Sequence, residues 1–132
     1  NYYIEMNLLK SNLTQKTLKE INSLEKRKNE SKYILEKYPD KVPLIIEKST
    51  HKNAENIPDI KKKKFLVPND LQLSQLIYIV RKRINIESHL GIFFFINNEL
   101  YPVSSLISTI YEEKKDEDGF LYMTYSSENT FG

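Results

Sequence analysis

The chain of 132 residues contains no cysteine. That excludes a disulfide framework, a thiolate metal site and a cysteine nucleophile. It has no tryptophan, three glycines and two histidines. His51 and His89 stand far apart and read as surface residues, so neither is assigned a ligand role. No Gly-rich stretch has the form of a phosphate-cradling loop. No apolar run approaches the ~20 residues that a membrane helix needs. No signal peptide is visible, because Asn1-Tyr2-Tyr3 leads into polar and charged residues. The net charge of +2 is too small to point to nucleic acid by itself. No catalytic constellation remains: the chain is expected not to be an enzyme, and no metal site is expected.

What is present is ordinary for a soluble globular protein. Apolar residues make up 39% and charged residues 29%, and the length suits one domain with a sizeable core. Lys outnumbers Arg 17 to 3. Together with abundant Asn and Ile, this suits A/T-rich codons and hints at a protist source. The first residue is Asn1, not Met, so the start reads as a processed or cut end.

Residues 1–37 carry neither Gly nor Pro. Ile4, Leu8, Leu9, Leu13, Leu18, Ile21 and Leu24 recur at roughly helical spacing, and a second helix is expected over 25–37. Tyr38-Pro39-Asp40 is a stop-and-turn signal. Val42 to Glu47 reads as a strand, with Pro43 confined to its start or to an unpaired side. Ser49 to Asp59 is a polar loop. Lys62 to Val67 reads as a second strand whose lysines suit a free edge. Leu71, Leu76, Ile77, Ile79, Val80 and Ile84 predict the strongest helix in the chain. It closes with Arg81-Lys82-Arg83, cations at the negative end of the helix dipole. The apolar run 91–96 predicts a buried central strand. A short helix over 104–112 and a charged loop over 114–119 follow. The last strand covers 120–125. Helix, helix, hairpin, crossing helix and two further strands describe a β-grasp, an α+β domain of two layers. The expected divisions are 1–37 (helical extension), 38–126 (core) and 127–132 (tail).

The tail, Ser126 to Gly132, is polar and stops at glycine. A terminal glycine on a flexible stalk offers its carboxylate with no Cβ in the way. Ubiquitin-like modifiers use that chemistry: the carboxylate is adenylated, passed to a thiol and joined to an amine. A frayed terminus that happens to end in Gly is the bland alternative.

Several segments meet on one family. They are 37–43 (Lys-Tyr-Pro-Asp-Lys-Val-Pro), 62–68 (Lys-Lys-Lys-Phe-Leu-Val-Pro), 81–84 (Arg-Lys-Arg-Ile), 93–98 (Phe-Phe-Phe-Ile-Asn-Asn) and 120–132. In that order they resemble the autophagy ubiquitin-like modifiers, the family of the GABA-receptor-associated protein and the microtubule-associated light chains. The match runs roughly from Leu24 to Gly132. It implies a ubiquitin-like β-grasp with a four-stranded mixed sheet, preceded by N-terminal helices. It implies conjugation of Gly132 to the amine of phosphatidylethanolamine, the only covalent partner expected and no cofactor in the usual sense. A two-chain phospholipid anchors a soluble domain stably, whereas one acyl chain does so only marginally. The implied setting is the cytoplasm and then autophagosomal membranes; the A/T-rich bias leaves open a protist in which a plastid membrane takes their place. Implied partners are the activating and conjugating enzymes, a Cys protease for deconjugation, and receptors with an aromatic-x-x-aliphatic motif. No specific nucleic acid is implied.

The edge strand and the resemblance point to the same peptide site. A peptide can add to a free sheet edge, with pockets selecting alternate side chains. Lys64 and Leu66 should point one way, Phe65 and Val67 the other. The resemblance places the ligand's aromatic residue among Glu30, Ile34, Pro43, Ile45, Lys64, Leu66 and Phe120. It places the aliphatic residue among Phe65, Val67, Pro68, Leu71, Leu76, Ile79 and Val80. Lys41, Lys62, Lys64 and Arg83 would attract acidic flanks, aiding encounter and orientation.

The sequence departs from the family at Leu76, where relatives often carry a larger aromatic. It departs again at Lys41, which lacks an arginine's bidentate geometry. Residues 1–11 extend beyond the usual first helix, as an added partner segment, a longer helix or a foreign remnant. Their apolar residues also permit membrane contact. Two other classes stay in view. Lys61 to Lys64 beside aromatics permits weak electrostatic binding of nucleic acid. A ubiquitin-like adaptor would bind peptides without being conjugated.

Overall fold

The computed structural model describes residues 4–5, 17–50, 57–87 and 89–127. Strand β1 (Ile4–Glu5) comes first, followed by helices α1 (Leu18–Ile21) and α2 (Leu24–Lys37). Strands β2 (Lys41–Lys48) and β3 (Lys64–Pro68) precede helix α3 (Leu73–Ile84). Strand β4 (Phe93–Phe95), helix α4 (Ile107–Lys114) and strand β5 (Leu121–Ser126) complete the order.

Local chemistry sets the helix ends. Thr17 and Glu20 form a capping box at α1: the Glu20 N–H donates to Thr17 Oγ1 at 3.2 Å, and the Thr17 N–H donates to Glu20 Oε1 at 3.3 Å. Ser23 caps α2 by accepting from the Lys26 N–H at 3.2 Å. Helix α2 stops where Pro39 removes a donor. Helix α3 ends on Asn85, in the left-handed conformation at φ 53°. Asn97 and Asn98 both have positive φ and form the two-residue turn between Ile96 and Glu99, the geometry of a type I′ hairpin.

The strands lie in the order β1-β3-β2-β5-β4. β2 and β3 form an antiparallel hairpin, β2 and β5 pair in parallel, and β4 and β5 are antiparallel. The four-stranded mixed β-grasp sheet is therefore present, with one further strand at its margin. Alternation along the strands divides their side chains between two clusters. Val42, Leu44 and Ile46 of β2, Phe65 and Val67 of β3, and Leu121, Met123 and Tyr125 of β5 join the buried residues of α3 and α4. On the opposite face, Ile45, Leu66 and Phe120 meet Leu18 of α1 and Ile34 of α2.

Three sequence expectations need correction. The domain has three layers, because α1 and α2 cover the face that α3 leaves bare. The run 91–96 does not supply a central strand: β4 is short and pairs only with β5. Its burial comes from the face it shares with α3 and α4, where Phe94 and Ile96 join the large cluster. The helical period does not hold at its start, since Ile4 and Glu5 are extended. A short isolated helix is marginal in water, while a sheet margin offers β1 ready hydrogen-bonding partners.

Candidate functional site

Strand β3 organises the candidate site. The Ile46 N–H donates to the Lys63 carbonyl at 2.8 Å. Hydrogen-bonded and non-bonded pairs alternate along an antiparallel ladder. With the register Leu44 to Phe65 and Val42 to Val67, Phe65 and Val67 spend their backbone groups on β2. Lys64 and Leu66 turn theirs outward to the margin. Pro43 lies opposite Leu66, so its backbone faces the β5 side, one residue before that ladder starts at Leu44. Its missing N–H takes nothing from the hairpin.

The margin is not bare. β1 pairs with β3 in antiparallel register, Ile4 opposite Leu66 and Glu5 opposite Phe65. The free edge expected from the sequence is capped here over two residues, by backbone that the helical reading of residues 1–11 did not anticipate.

The residues expected to take an aromatic side chain do come together. Ile34, Ile45, Leu66 and Phe120 form one buried cluster, and Pro43 is buried beside them on β2. Lys64 Nζ donates to Glu30 Oε1 and Oε2 at 2.8 and 2.7 Å. The Lys64 side chain is only 5% exposed. Burial draws its ammonium below the ordinary lysine value, against the opposing pull of Glu30. This lysine is therefore engaged within the protein and is not a free attractor of acidic flanks.

Sequence reasoning missed Leu18, Ile21, Tyr38 and Tyr122, which line the same cluster. Two signals were available. Thr17-x-x-Glu20 is a capping-box pattern that starts a helix at Leu18, and Tyr122 alternates with Leu121 and Met123, which puts it on the Phe120 face. Tyr122 also donates to Asp118 Oδ2 at 2.5 Å, and Arg27 Nη1 donates to the same oxygen at 2.6 Å. Burial, then Asp118, raises the Tyr122 phenol above its ordinary value. α1 is fixed to the sheet by the Leu18 N–H, which donates to Glu47 Oε2 at 3.1 Å.

The residues expected to take an aliphatic side chain lie on the other face of β3. Phe65, Val67, Leu71, Leu76, Ile79 and Val80 all belong to the large cluster, and Ile79 is the most exposed at 8%. Pro68 is half-buried at the strand's end. Of the basic residues, Lys41 is half-buried at the start of β2, and Lys62 and Arg83 are exposed. His89 is exposed, with Nδ1 3.3 Å from Glu87 Oε2; His51 lies outside the described residues. β5 ends at Ser126, and Gly132 also lies outside the described residues. Among the described residues no cluster of His, Cys, Asp or Glu could hold a metal. No described helix is long and apolar enough to cross a membrane.

Comparison with known proteins bears on the family and the fold. The family model for the ubiquitin-like autophagy protein Atg8 matches residues 26–132. Autophagy-related protein 8a of Arabidopsis thaliana is 53% identical over 120 residues, covering 91% of this chain and 96% of the relative. Autophagy-related protein 8B of Oryza sativa is 55% identical over 111 residues, covering 84% and 91%. The crystal structure of Trypanosoma brucei ATG8 superposes with a TM-score of 0.79 at 38% identity, over 90% of this chain and all of that one. The chain belongs to the Atg8 family of ubiquitin-like autophagy proteins.

Proposed function

We propose that this autophagy modifier is joined through Gly132 to the amine of phosphatidylethanolamine. On the membrane it displays β3 to receptors with an aromatic-x-x-aliphatic motif. The observation that supports the receptor site most is the geometry of β3. Its outward N–H and C=O groups at Lys64 and Leu66 suit strand addition. Its alternating side chains address two separate apolar clusters, on opposite faces of the sheet. A receptor's aromatic residue would enter beside Ile34, Leu66 and Phe120, and its aliphatic residue beside Val67, Pro68 and Ile79. Exposed Lys62 and Arg83 with half-buried Lys41 would steer acidic flanks. Family membership supports the conjugation: activating and conjugating enzymes form the thioester and amide at Gly132, and a Cys protease reverses it. The lipid then supplies the membrane attachment to autophagosomes.

Reconstitution tests this reading. The chain is incubated with the activating and conjugating enzymes, ATP and phosphatidylethanolamine liposomes, and the product is weighed. A product heavier by one lipid is expected, and none from Gly132→Ala. The same variant should bind an aromatic-x-x-aliphatic peptide as the parent does. Peptide binding without any lipid adduct would favour an adaptor that is never conjugated.

A further inference from the structure

We infer that the N-terminal strand β1 is a built-in competitor for the receptor site: it occupies the β3 margin and must leave before a peptide can add there. This inference rests on the receptor reading above. Its ground is the register. Leu66 is the central residue of β3, and its backbone groups are turned to the margin. Ile4 lies directly opposite. A peptide that added a strand to β3 would need those same groups, and one N–H or C=O direction cannot serve two ladders.

The side-chain site beside that margin is closed too, by other parts of the protein. A pocket ready for an aromatic ligand should show open apolar surface. Here Ile34 and Leu66 are each 1% exposed, and Phe120 is fully buried. Leu18, Ile21, Tyr38 and Tyr122 pack over those side chains, while β1 takes only the backbone margin, at its middle.

The strand is held weakly enough to be displaced. It is paired over two residues, while β3 offers five. Its covalent link to Thr17 makes the pairing intramolecular, at an effective concentration on the order of millimolar. A short ladder at that concentration biases the margin without sealing it. A ligand's apparent affinity falls by the fraction of molecules in the open state. With about 10–30% of molecules open, release of β1 would tighten binding about 3- to 10-fold.

Three forms of the chain test this: the parent, a variant lacking residues 1–5, and Ile4→Pro, which removes the N–H of β1 that faces Leu66. The probe is a synthetic aromatic-x-x-aliphatic peptide with acidic flanks, titrated by fluorescence anisotropy. Hydrogen exchange of the Leu66 amide is followed in each form without peptide. Both altered chains should bind about 3- to 10-fold more tightly than the parent, and the Leu66 amide should exchange faster in both. Equal Leu66 exchange in all three forms overturns the proposal, because β1 would then not protect the margin. Faster exchange with unchanged affinity overturns it too, since the strand would be present without competing. If no form binds the peptide, the receptor reading fails and the competition fails with it. The exchange rates then still report whether β1 occupies the margin.

Discussion

The two faces of the sheet are built from different materials. On one, β2, β3 and β5 present Val, Leu, Ile, Phe and Met to α3 and α4, in a cluster that is apolar almost throughout. On the other, five buried apolar residues are ringed by charge: Lys64 with Glu30, Arg27 with Asp118, and Lys19 with Asp116. Hydrophobic burial scales with area and has no direction, so the large face should carry most of the stability. Ion pairs in the interior gain little net stability but fail badly when halved. The small face should therefore govern specificity, charge and pH response. β3 is the one strand whose successive residues sample both faces at the proposed site.

Neighbouring substitutions on β3 give the largest test of that contrast. Phe65→Ala empties a fully buried position of the large cluster and should cost about 3–5 kcal/mol in chemical denaturation. Leu66→Ala, one residue along, empties the small cluster, where fewer neighbours lose contact, and should cost about 2–3 kcal/mol. Equal costs would mean that both faces share the stability and that the contrast is only one of composition. The peptide readout should favour the opposite residue: Leu66→Ala should weaken the parent fold less but touch both the aromatic site and the backbone position facing β1.

Much of this arrangement was legible from local pattern. Alternation at Lys64, Phe65, Leu66 and Val67 assigned side chains to faces, and Pro43 placed itself where no hairpin bond is lost. The three-four repeat from Leu71 to Ile84 gave the crossing helix. What escaped notice was long-range. Asp118 sits in a segment whose composition reads as a solvated charged loop, yet it is 1% exposed. Its partner Arg27 is distant in sequence, and no local pattern signals that meeting. The apolar run around Phe94 was misplaced to the sheet's centre because apolar residues report burial, not neighbour number. β1 escaped because two extended residues leave no period to read, and its placement depends on an open margin elsewhere in the chain.

The Lys64–Glu30 pair sharpens the comparison next. Both side chains are nearly buried, at 5% and 10% exposure. Glu30→Ala strands the ammonium and should cost about 2–3 kcal/mol. Replacing both partners with apolar residues, as in Glu30→Leu with Lys64→Met, should return stability to within about 1 kcal/mol of the parent. Failure of the double substitution to recover would show that the pair is structural after all. Recovery with weakened binding of an acidic-flanked peptide would assign the pair to recognition.

Gly119 tests the joint between α2 and the turn before β5. It has φ 91°, and an added Cβ would lie 2.9 Å from the Ser31 Cβ. The Ser31 hydroxyl already donates to the Asp118 carbonyl, leaving no slack. Gly119→Ala combines backbone strain with a clash and should lose about 2 kcal/mol. Adding Ser31→Gly relieves the clash but not the left-handed backbone, so recovery should be partial. Full recovery would assign the whole effect to crowding.

The smallest effect concerns acid. Asp116 Oδ1 accepts from Lys19 Nζ at 2.5 Å, and its Oδ2 accepts from the Asp118 N–H at 3.1 Å. Burial works to raise this carboxyl, but Lys19 and the backbone N–H outweigh it and hold it below the ordinary 3.8. A group depressed in the folded state binds protons more readily when unfolded. Its contribution is thus complete above the unfolded value and is lost as pH falls through the folded one. The Lys19 side chain is 46% exposed, and an ion pair screened by solvent to that degree is weak, so Lys19→Met should change stability at neutral pH by less than about 1 kcal/mol. Its effect should be confined to the acid limb, where the loss of stability below about pH 4 becomes shallower. Phe65→Ala should instead lower the whole pH profile without altering its shape. If Lys19→Met also leaves the acid limb unchanged, the small face does not own the pH response, and the division of labour between the two faces fails at its charged rim.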